Sequence, residues 1–288
     1  MSPEPRVALV AGCGELGSAV GLRLAALGAQ VWGIRRRADL LSPPIRALAA
    51  DLVSGRGLEA LPERADWLLY CAAPLVRTPE TYRETYLEGS ARLLERLAAR
   101  GLRPARAIFV SSSSVFGDHG GAWVDEDTPP RPEGFQGTTL LEAEQLWRNR
   151  LPGAVVVRPS GIYGPRRRWL IERLREPNAH CRRGVYTNRI HIEDLADALV
   201  HLLSLPEVRP LYVISDDEPA PECEVMGWLA ARLGLPPPPV DELGQRLPTG
   251  NKRLSNRRLK ATGFRLRYPS FREGYGAMLD SAGPSPPP

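Results

Sequence analysis

Two short segments of the chain combine residue types and spacing that could hold and act on a charged ligand. The first is Gly12-Cys13-Gly14-Glu15-Leu16-Gly17, a G-x-G-x-x-G run that follows the apolar stretch Arg6–Ala11 and opens Glu15–Leu27, where apolar residues recur at helical spacing. Between a strand and a helix each glycine has its own use: Gly12 for the tight turn, Gly14 for close approach of a pyrophosphate, and Gly17 for packing helix on strand. The helix start at Glu15 and Leu16 would then present backbone N–H groups and a partial positive charge to the phosphates. The second segment is Arg35-Arg36-Arg37, at the end of the next apolar run, Val31–Ile34. A site for NAD usually carries an acid there for the adenosine ribose hydroxyls. Arg35 and Arg36 instead could grip a 2′-phosphate, so the pattern points to NADP, with NAD the less favoured cofactor.

Other candidates are more scattered. Asp118, His119, Glu126 and Asp127 lie in a stretch, residues 118–134, rich in Gly, Pro and acids, which reads as an irregular loop. His191 reads as a satisfied structural histidine, and its neighbour Arg189 as a contact for an anionic group of a small-molecule substrate. All but two of the 38 basic residues are arginine; of the lysines, Lys252 and Lys260, the first is flagged as a substrate contact. The Cys, His and carboxylate positions form no metal-ligand pattern, so no metal is expected.

The elements that must position these groups alternate. Apolar runs at Ala47–Leu52, Trp67–Ala73, Ala107–Ser112, Ala154–Arg158 and Leu211–Ile214 read as strands. Pro79–Arg100, Thr138–Arg150, Ile192–Leu205 and Cys223–Leu233 read as helices. This predicts an α/β fold with a doubly wound parallel Rossmann sheet at residues 1–165, completed by parts of 185–215. A small C-terminal substrate lobe at 166–280 and a disordered tail at 281–288 follow. The 288 residues can bury a core without disulfides, and Cys13, Cys71, Cys181 and Cys223 are widely spaced, so reduced thiols and a cytoplasmic protein are expected. No signal peptide and no membrane-length apolar run is read. The net charge of +5 accompanies a general preference for arginine, so nucleic acid is not expected as a partner.

Several segments together resemble the short-chain dehydrogenase/reductase superfamily, in its extended branch of NAD-dependent epimerases and dehydratases. They are Asp51-Leu52, Cys71-Ala72-Ala73, Phe109–Gly117 (FVSSSSVFG), Leu141-Glu142-Ala143-Glu144, Arg158–Pro165 (RPSGIYGP) and Arg189–Ala196 (RIHIEDLA). The resemblance implies that Asp51 and Leu52 lie by the adenine, that Ala72 and Ala73 lie beneath the cofactor, and that Pro159, Ser160 and Ile162 line the nicotinamide. It makes Ser112 the catalytic serine, with Ser113 beside it as a substrate contact. The family's Y-x-x-x-K pair, counted back from Leu141-Glu142-Ala143-Glu144, falls on Gln136 and Leu140, neither of which can titrate. This places the chain in an atypical subgroup lacking that pair.

Tyr86 replaces an asparagine of the family pattern, and its phenol is the candidate for the missing proton; packing between helix and sheet is the alternative. Thr138 and Thr139 are read as ribose contacts or helix caps. The expected activity is that of an NADP-binding oxidoreductase or epimerase/dehydratase-like enzyme acting on a small oxygenated metabolite. Two alternatives stay open, a non-catalytic NADP(H)-sensing regulatory protein and an enzyme of nucleotide sugars. A homodimer built on the segments 79–100 and 138–150 is common in the family.

Overall fold

Strands covered on both faces need continuous apolar sequence, and Val7–Ala11 (β1) and Trp67–Tyr70 (β4) are buried along their whole length. In the computed structural model, which describes residues 4–241 and 250–281, they lie side by side at the centre of a seven-stranded sheet. The other strands are Gln30–Arg35 (β2), Arg46–Ala49 (β3), Arg106–Val110 (β5), Val155–Pro159 (β6) and Leu211–Ile214 (β7). Their order is β7-β6-β5-β4-β1-β2-β3, and every pairing from β3 through to β6 is parallel. The Val156 amide donates to the Pro210 carbonyl and the Ser160 amide to that of Ile214, so both strands advance four residues together and β7 is parallel as well. The order reverses between β1 and β4, the switch point at which open α/β sheets bind their ligands.

The chain divides into two compact units, neither contiguous in sequence. The first comprises Met1–Val115, Gly134–Arg158 and Ala196–Tyr212; the second comprises Phe116–Glu133, Pro159–Leu195 and Val213–Pro288. In the first, Glu15–Ala26 (α1) follows β1, and a long helical run follows β4. That run starts on a capping box, in which Thr78 and Thr81 each accept the other's amide at 3.3 and 3.2 Å, with Pro79 at the first helical position. It then passes through a π-helical stretch, Arg83–Glu88, before Gly89–Ala99 (α2). The wider turn was not legible in the sequence. The buried Tyr70 phenol donates to the Thr85 carbonyl within it. Phe135–Arg150 (α3) leads into β6.

The second unit has its own core, in which Tyr163, Ile171, Met226, Leu229, Phe271 and Tyr275 meet. Residues 118–134, expected to be irregular, include Trp123–Val124, which pairs in parallel with Arg253–Leu254. The expectation of reduced thiols is corrected here: Cys181 and Cys223 are disulfide-bonded, with Cα atoms 4.9 Å apart. Their 42-residue separation conceals that Cys181–Arg182 packs on the helix Glu222–Arg232 (α4), where Glu222 also accepts from the Arg182 amide and guanidinium. Cys13 and Cys71 are free thiols. Of the tail expected at 281–288, Ser281 instead ends the helix Phe271–Ser281, and residues 282–288 lie outside the described residues. Among the described residues no helix is long and apolar enough to cross a membrane, and no group of three His, Cys, Asp or Glu could hold a metal.

Candidate functional site

The glycine loop joins β1 to α1 as its residue types require. Gly12 has φ +87°, and a Cβ there would lie 2.3 Å from the Ala72 backbone, so no other residue fits. A Cβ on Gly17 would come within 2.8 Å of the Gly12 carbonyl, which explains the close seat of α1. Gly14 is different: a Cβ there would meet only the Gly12 oxygen, at 4.0 Å. The space over Gly14 is therefore open, and as N-cap it contributes no side-chain bond to the first turn of α1, in which Glu15 is half-buried and Leu16 buried. First-turn N–H groups have no partner within their helix. An uncapped twelve-residue helix facing open space fits a pyrophosphate.

The amides of Gly12 and Cys13 donate to the Ile34 carbonyl at 3.2 and 2.9 Å, which fixes the loop against the end of β2. There Arg37 pairs with Asp39 at 3.2 Å, while Arg35, half-buried, and Arg36, exposed, have no ion-pair partner among the described residues. Burial holds the Cys13 thiol above its ordinary range, against the smaller opposing pull of Ser18 and Arg35. Asp51 does not present a free carboxylate: one oxygen accepts from the Val53 amide at 3.0 Å and the other from the Ser54 hydroxyl at 3.1 Å. Leu52 and Ala72 are half-buried and Ala73 is exposed.

The serine run divides its labour. Ser111 Oγ donates at 2.7 Å to Glu144, whose carboxylate is fully buried and also accepts from Arg158 Nε at 2.9 Å and Nη2 at 2.7 Å. This buried cluster links β5, α3 and β6. It gives Glu144 and Arg158, which the sequence marked only by resemblance, a structural reason. Ser112 Oγ accepts the Ser114 amide at 3.1 Å, closing the short turn Ser113–Phe116. Its own proton remains available to donate. Ser113 is half-buried.

Gln136 and Leu140 stand one helical turn apart on α3, the first half-buried and the second 2% exposed. Thr138 donates to the Gly134 carbonyl at 3.2 Å, and Thr139 is buried. Tyr86 lies in the π-helical stretch, packed against Tyr82 at 5.2 Å and edge-on to Phe109 at 6.4 Å. Burial pushes its phenol well above the ordinary tyrosine range, which makes it a weak proton donor. The structure thus gives Tyr86 the packing geometry that was the alternative to a catalytic one.

Pro159, Ser160 and Ile162 fall in the second unit, with Pro159 and Ser160 buried and Ile162 half-buried. Arg189 and Lys252, both expected to meet substrate, are enclosed instead. Arg189 is 5% exposed, donates to Thr187 Oγ1 and lies over the Phe271 ring at 5.5 Å. Lys252 is 2% exposed, its Nζ donates to the Gly117 carbonyl at 3.0 Å, and burial lowers its pKa to about 8. Glu126 is likewise structural, accepting the Val213 amide at 2.8 Å. His191 is wedged between Tyr163 and Tyr268, accepts the Glu193 amide on Nδ1 at 3.3 Å, and is held neutral by burial, which lowers its pKa to about 4.

A parallel sheet that reverses its order beside a G-x-G-x-x-G turn and an uncapped helix defines a dinucleotide-binding Rossmann protein. The chain belongs to the NAD dependent epimerase/dehydratase family, which matches residues 8–214. It is 30% identical to protein YeeZ of Escherichia coli over 92% of this chain and 96% of that one. It is 28% identical, over 69% of this chain and 73% of that one, to a 3-diazoavenalumate denitrifying reductase of a Streptomyces species. A Methylobacillus flagellatus structure assigned to the NAD-dependent epimerases/dehydratases superposes with a TM-score of 0.81 at 35% identity, covering 96% and 98% of the two chains.

Proposed function

We propose that this protein is an NADP-dependent oxidoreductase acting on a small oxygenated metabolite, with Ser112 as the residue that bonds the substrate oxygen. The reading rests above all on the end of β2, where Arg35 and Arg36 have no ion-pair partner among the described residues and residues 33–37 include no carboxylate. Gly12, Gly14, Glu15, Leu16 and Gly17 hold the pyrophosphate, and Arg35 and Arg36 the 2′-phosphate. Bound there, the nicotinamide supplies or accepts the hydride. Ser112 Oγ accepts the Ser114 amide and donates to no acceptor among the described residues, so its proton is free to stabilise charge developing on the substrate oxygen. The 3-diazoavenalumate denitrifying reductase among the relatives supports a reductase of small molecules over an enzyme of nucleotide sugars.

A second reading, an NADP(H) sensor without turnover, is favoured by Gln136 and Leu140 at the proton-transfer positions and by the buried Tyr86. Paired titrations with NADPH and NADH test the cofactor assignment. NADPH should bind at least about tenfold tighter, about 1.4 kcal/mol, and the Arg35→Ala/Arg36→Ala variant should lose the preference. Equal affinities refute NADP selectivity. Ser112→Ala should then cut turnover in a carbonyl panel with NADPH affinity unchanged. Tight NADPH binding with no turnover on any substrate identifies the sensor.

A further inference from the structure

In the first unit, the edge of the sheet opposite the glycine loop carries a cavity that the proposed chemistry does not use. Its volume is about 330 Å³, and Arg6, Trp67, Arg106, Leu203, Leu205 and Pro206 are among the residues that line it. Ordinary small-ligand pockets begin at about 300 Å³.

Strand register brings the polar residues together. Trp67 begins β4 and stands opposite Ala8 of β1 on one side and Arg106 of β5 on the other. Side chains alternate along a strand, so Arg6, two residues before Ala8, leaves the sheet on the same face as Trp67 and Arg106. The Arg6 guanidinium lies over the Trp67 ring, 4.9 Å from its centroid. The chain leaving the helix Ile192–Ser204 closes the far wall, where Arg106 Nη2 donates to the Leu205 and Pro206 carbonyls at 2.9 and 3.0 Å.

Charge selects the ligand. Neither Arg6 nor Arg106 has an ion-pair partner among the described residues, and no carboxylate lines the cavity. Asp66, the acid next to Trp67, is engaged by the Val7 amide at 2.7 Å and by Arg64 Nε at 3.0 Å. The carboxyl end of the helix sets about half a negative charge against two full positive ones. The remaining polar side-chain atoms have the same sense: Trp67 is 6% exposed, and its Nε1 and Arg106 Nε are donors with no acceptor among the described residues. Such a wall disfavours a cation and offers guanidinium N–H groups to a carboxylate or phosphate. Leu203, Leu205 and Pro206 offer apolar contact to whatever carries that group.

We propose that Arg6, Trp67 and Arg106 form a binding site for a small organic oxyanion, a carboxylate or phosphate joined to an apolar body. None of the three belongs to the proposed cofactor or substrate set, so this site stands or falls separately from that reading. The test follows the indole N–H signals of the six tryptophans of the full chain by NMR, with Trp67 assigned through Trp67→Phe. The probes are benzoate and phenyl phosphate, with benzyl alcohol as the neutral control. At least one anion should shift the Trp67 signal saturably and the alcohol should not; the tighter anion tells a carboxylate ligand from a phosphate one. Arg6→Gln, at an exposed position, should weaken that binding about tenfold, the worth of one charge-assisted hydrogen bond. The Arg35→Ala/Arg36→Ala variant should bind the anion as the parent does. No saturable shift at Trp67, an equal shift with benzyl alcohol, an affinity that Arg6→Gln leaves unchanged, or loss of binding in Arg35→Ala/Arg36→Ala overturns the proposal.

Discussion

Replacing Glu144 by glutamine removes one charge from a fully buried site while nearly preserving its shape. The carboxylate accepts three short bonds, from Ser111 Oγ at 2.7 Å and from Arg158 Nε and Nη2 at 2.9 and 2.7 Å, and the Arg158 side chain is 3% exposed. In the variant the guanidinium keeps its burial and loses its counter-charge, and the new amide NH2 must point at one of the three donors. Breaking a buried pair from one side costs about 3–5 kcal/mol. With a urea slope of roughly 2–3 kcal/mol/M, the unfolding midpoint should fall by roughly 1–2.5 M. Unfolding is followed by far-UV circular dichroism, and Arg148→Ala is the control. Arg148 also reaches Glu144, at 3.5 Å, but is 37% exposed, and its loss should cost less than about 1 kcal/mol. Glu144→Leu/Arg158→Met, which removes both charges, should recover most of the stability. A midpoint shift below about 0.3 M for Glu144→Gln would show that the pair is not the anchor of β5, α3 and β6, and the reasoning would fail.

The two glycine positions should separate cleanly. Gly12→Ala, with its positive φ and a Cβ 2.3 Å from Ala72, should lose more than about 2 kcal/mol of stability. Gly14→Val, pointing into open space, should lose under about 1 kcal/mol while abolishing NADPH binding; paired melting and titration experiments distinguish them. His191 is held near pKa 4, chiefly by burial with help from Arg267 and against Glu193, while the unfolded chain titrates near 6.5. The unfolded state therefore binds the extra proton between these values, and stability falls as pH drops from 6.5 towards 4, by at most about 3 kcal/mol. His191→Phe should flatten that part of the stability profile, and an unchanged slope would remove His191 as its cause. For the Cys181–Cys223 disulfide, thiol titration of the unfolded, unreduced protein should find two thiols and after reduction four, with reduction costing up to about 4 kcal/mol for a 42-residue loop. Four thiols before reduction would show that the bond does not form.

What could be read from the sequence was local. β1, α1 and β2 were evident because an apolar run, three glycines and a helical period follow each other within about thirty residues. The mechanical reasons for Gly12 and Gly17 follow from the motif and its place between strand and helix. What stayed hidden was relational. Nothing in Leu141-Glu142-Ala143-Glu144 shows that Glu144 is the counter-ion of Arg158, because the two meet only when α3 lies across β5 and β6. The enclosure of Arg189 and Lys252 depends on residues dozens of positions away, and a charged side chain in an arginine-rich chain reads as exposed. Tyr86 illustrates a different loss. Its helix is legible, but the π-helical stretch that turns it among Tyr82 and Phe109 follows from packing and from the Tyr70 phenol at Thr85, not from helical period.

The interrupted path of the first unit also sets a schedule for its birth on the ribosome. β1 to β5 are complete by Val110, but the strand beside β5 begins only at Val155, and the last one in the sheet only at Leu211. At about 5–20 residues per second, the nascent chain carries β5 as a bare edge for roughly 2–9 s, and then β6 for roughly 3–11 s more. Unpaired apolar edges are where chains join one another. Nascent molecules on neighbouring ribosomes are thus most vulnerable to each other in the interval between Val110 and Leu211. Slower translation through that span would lengthen the exposure without changing the finished protein.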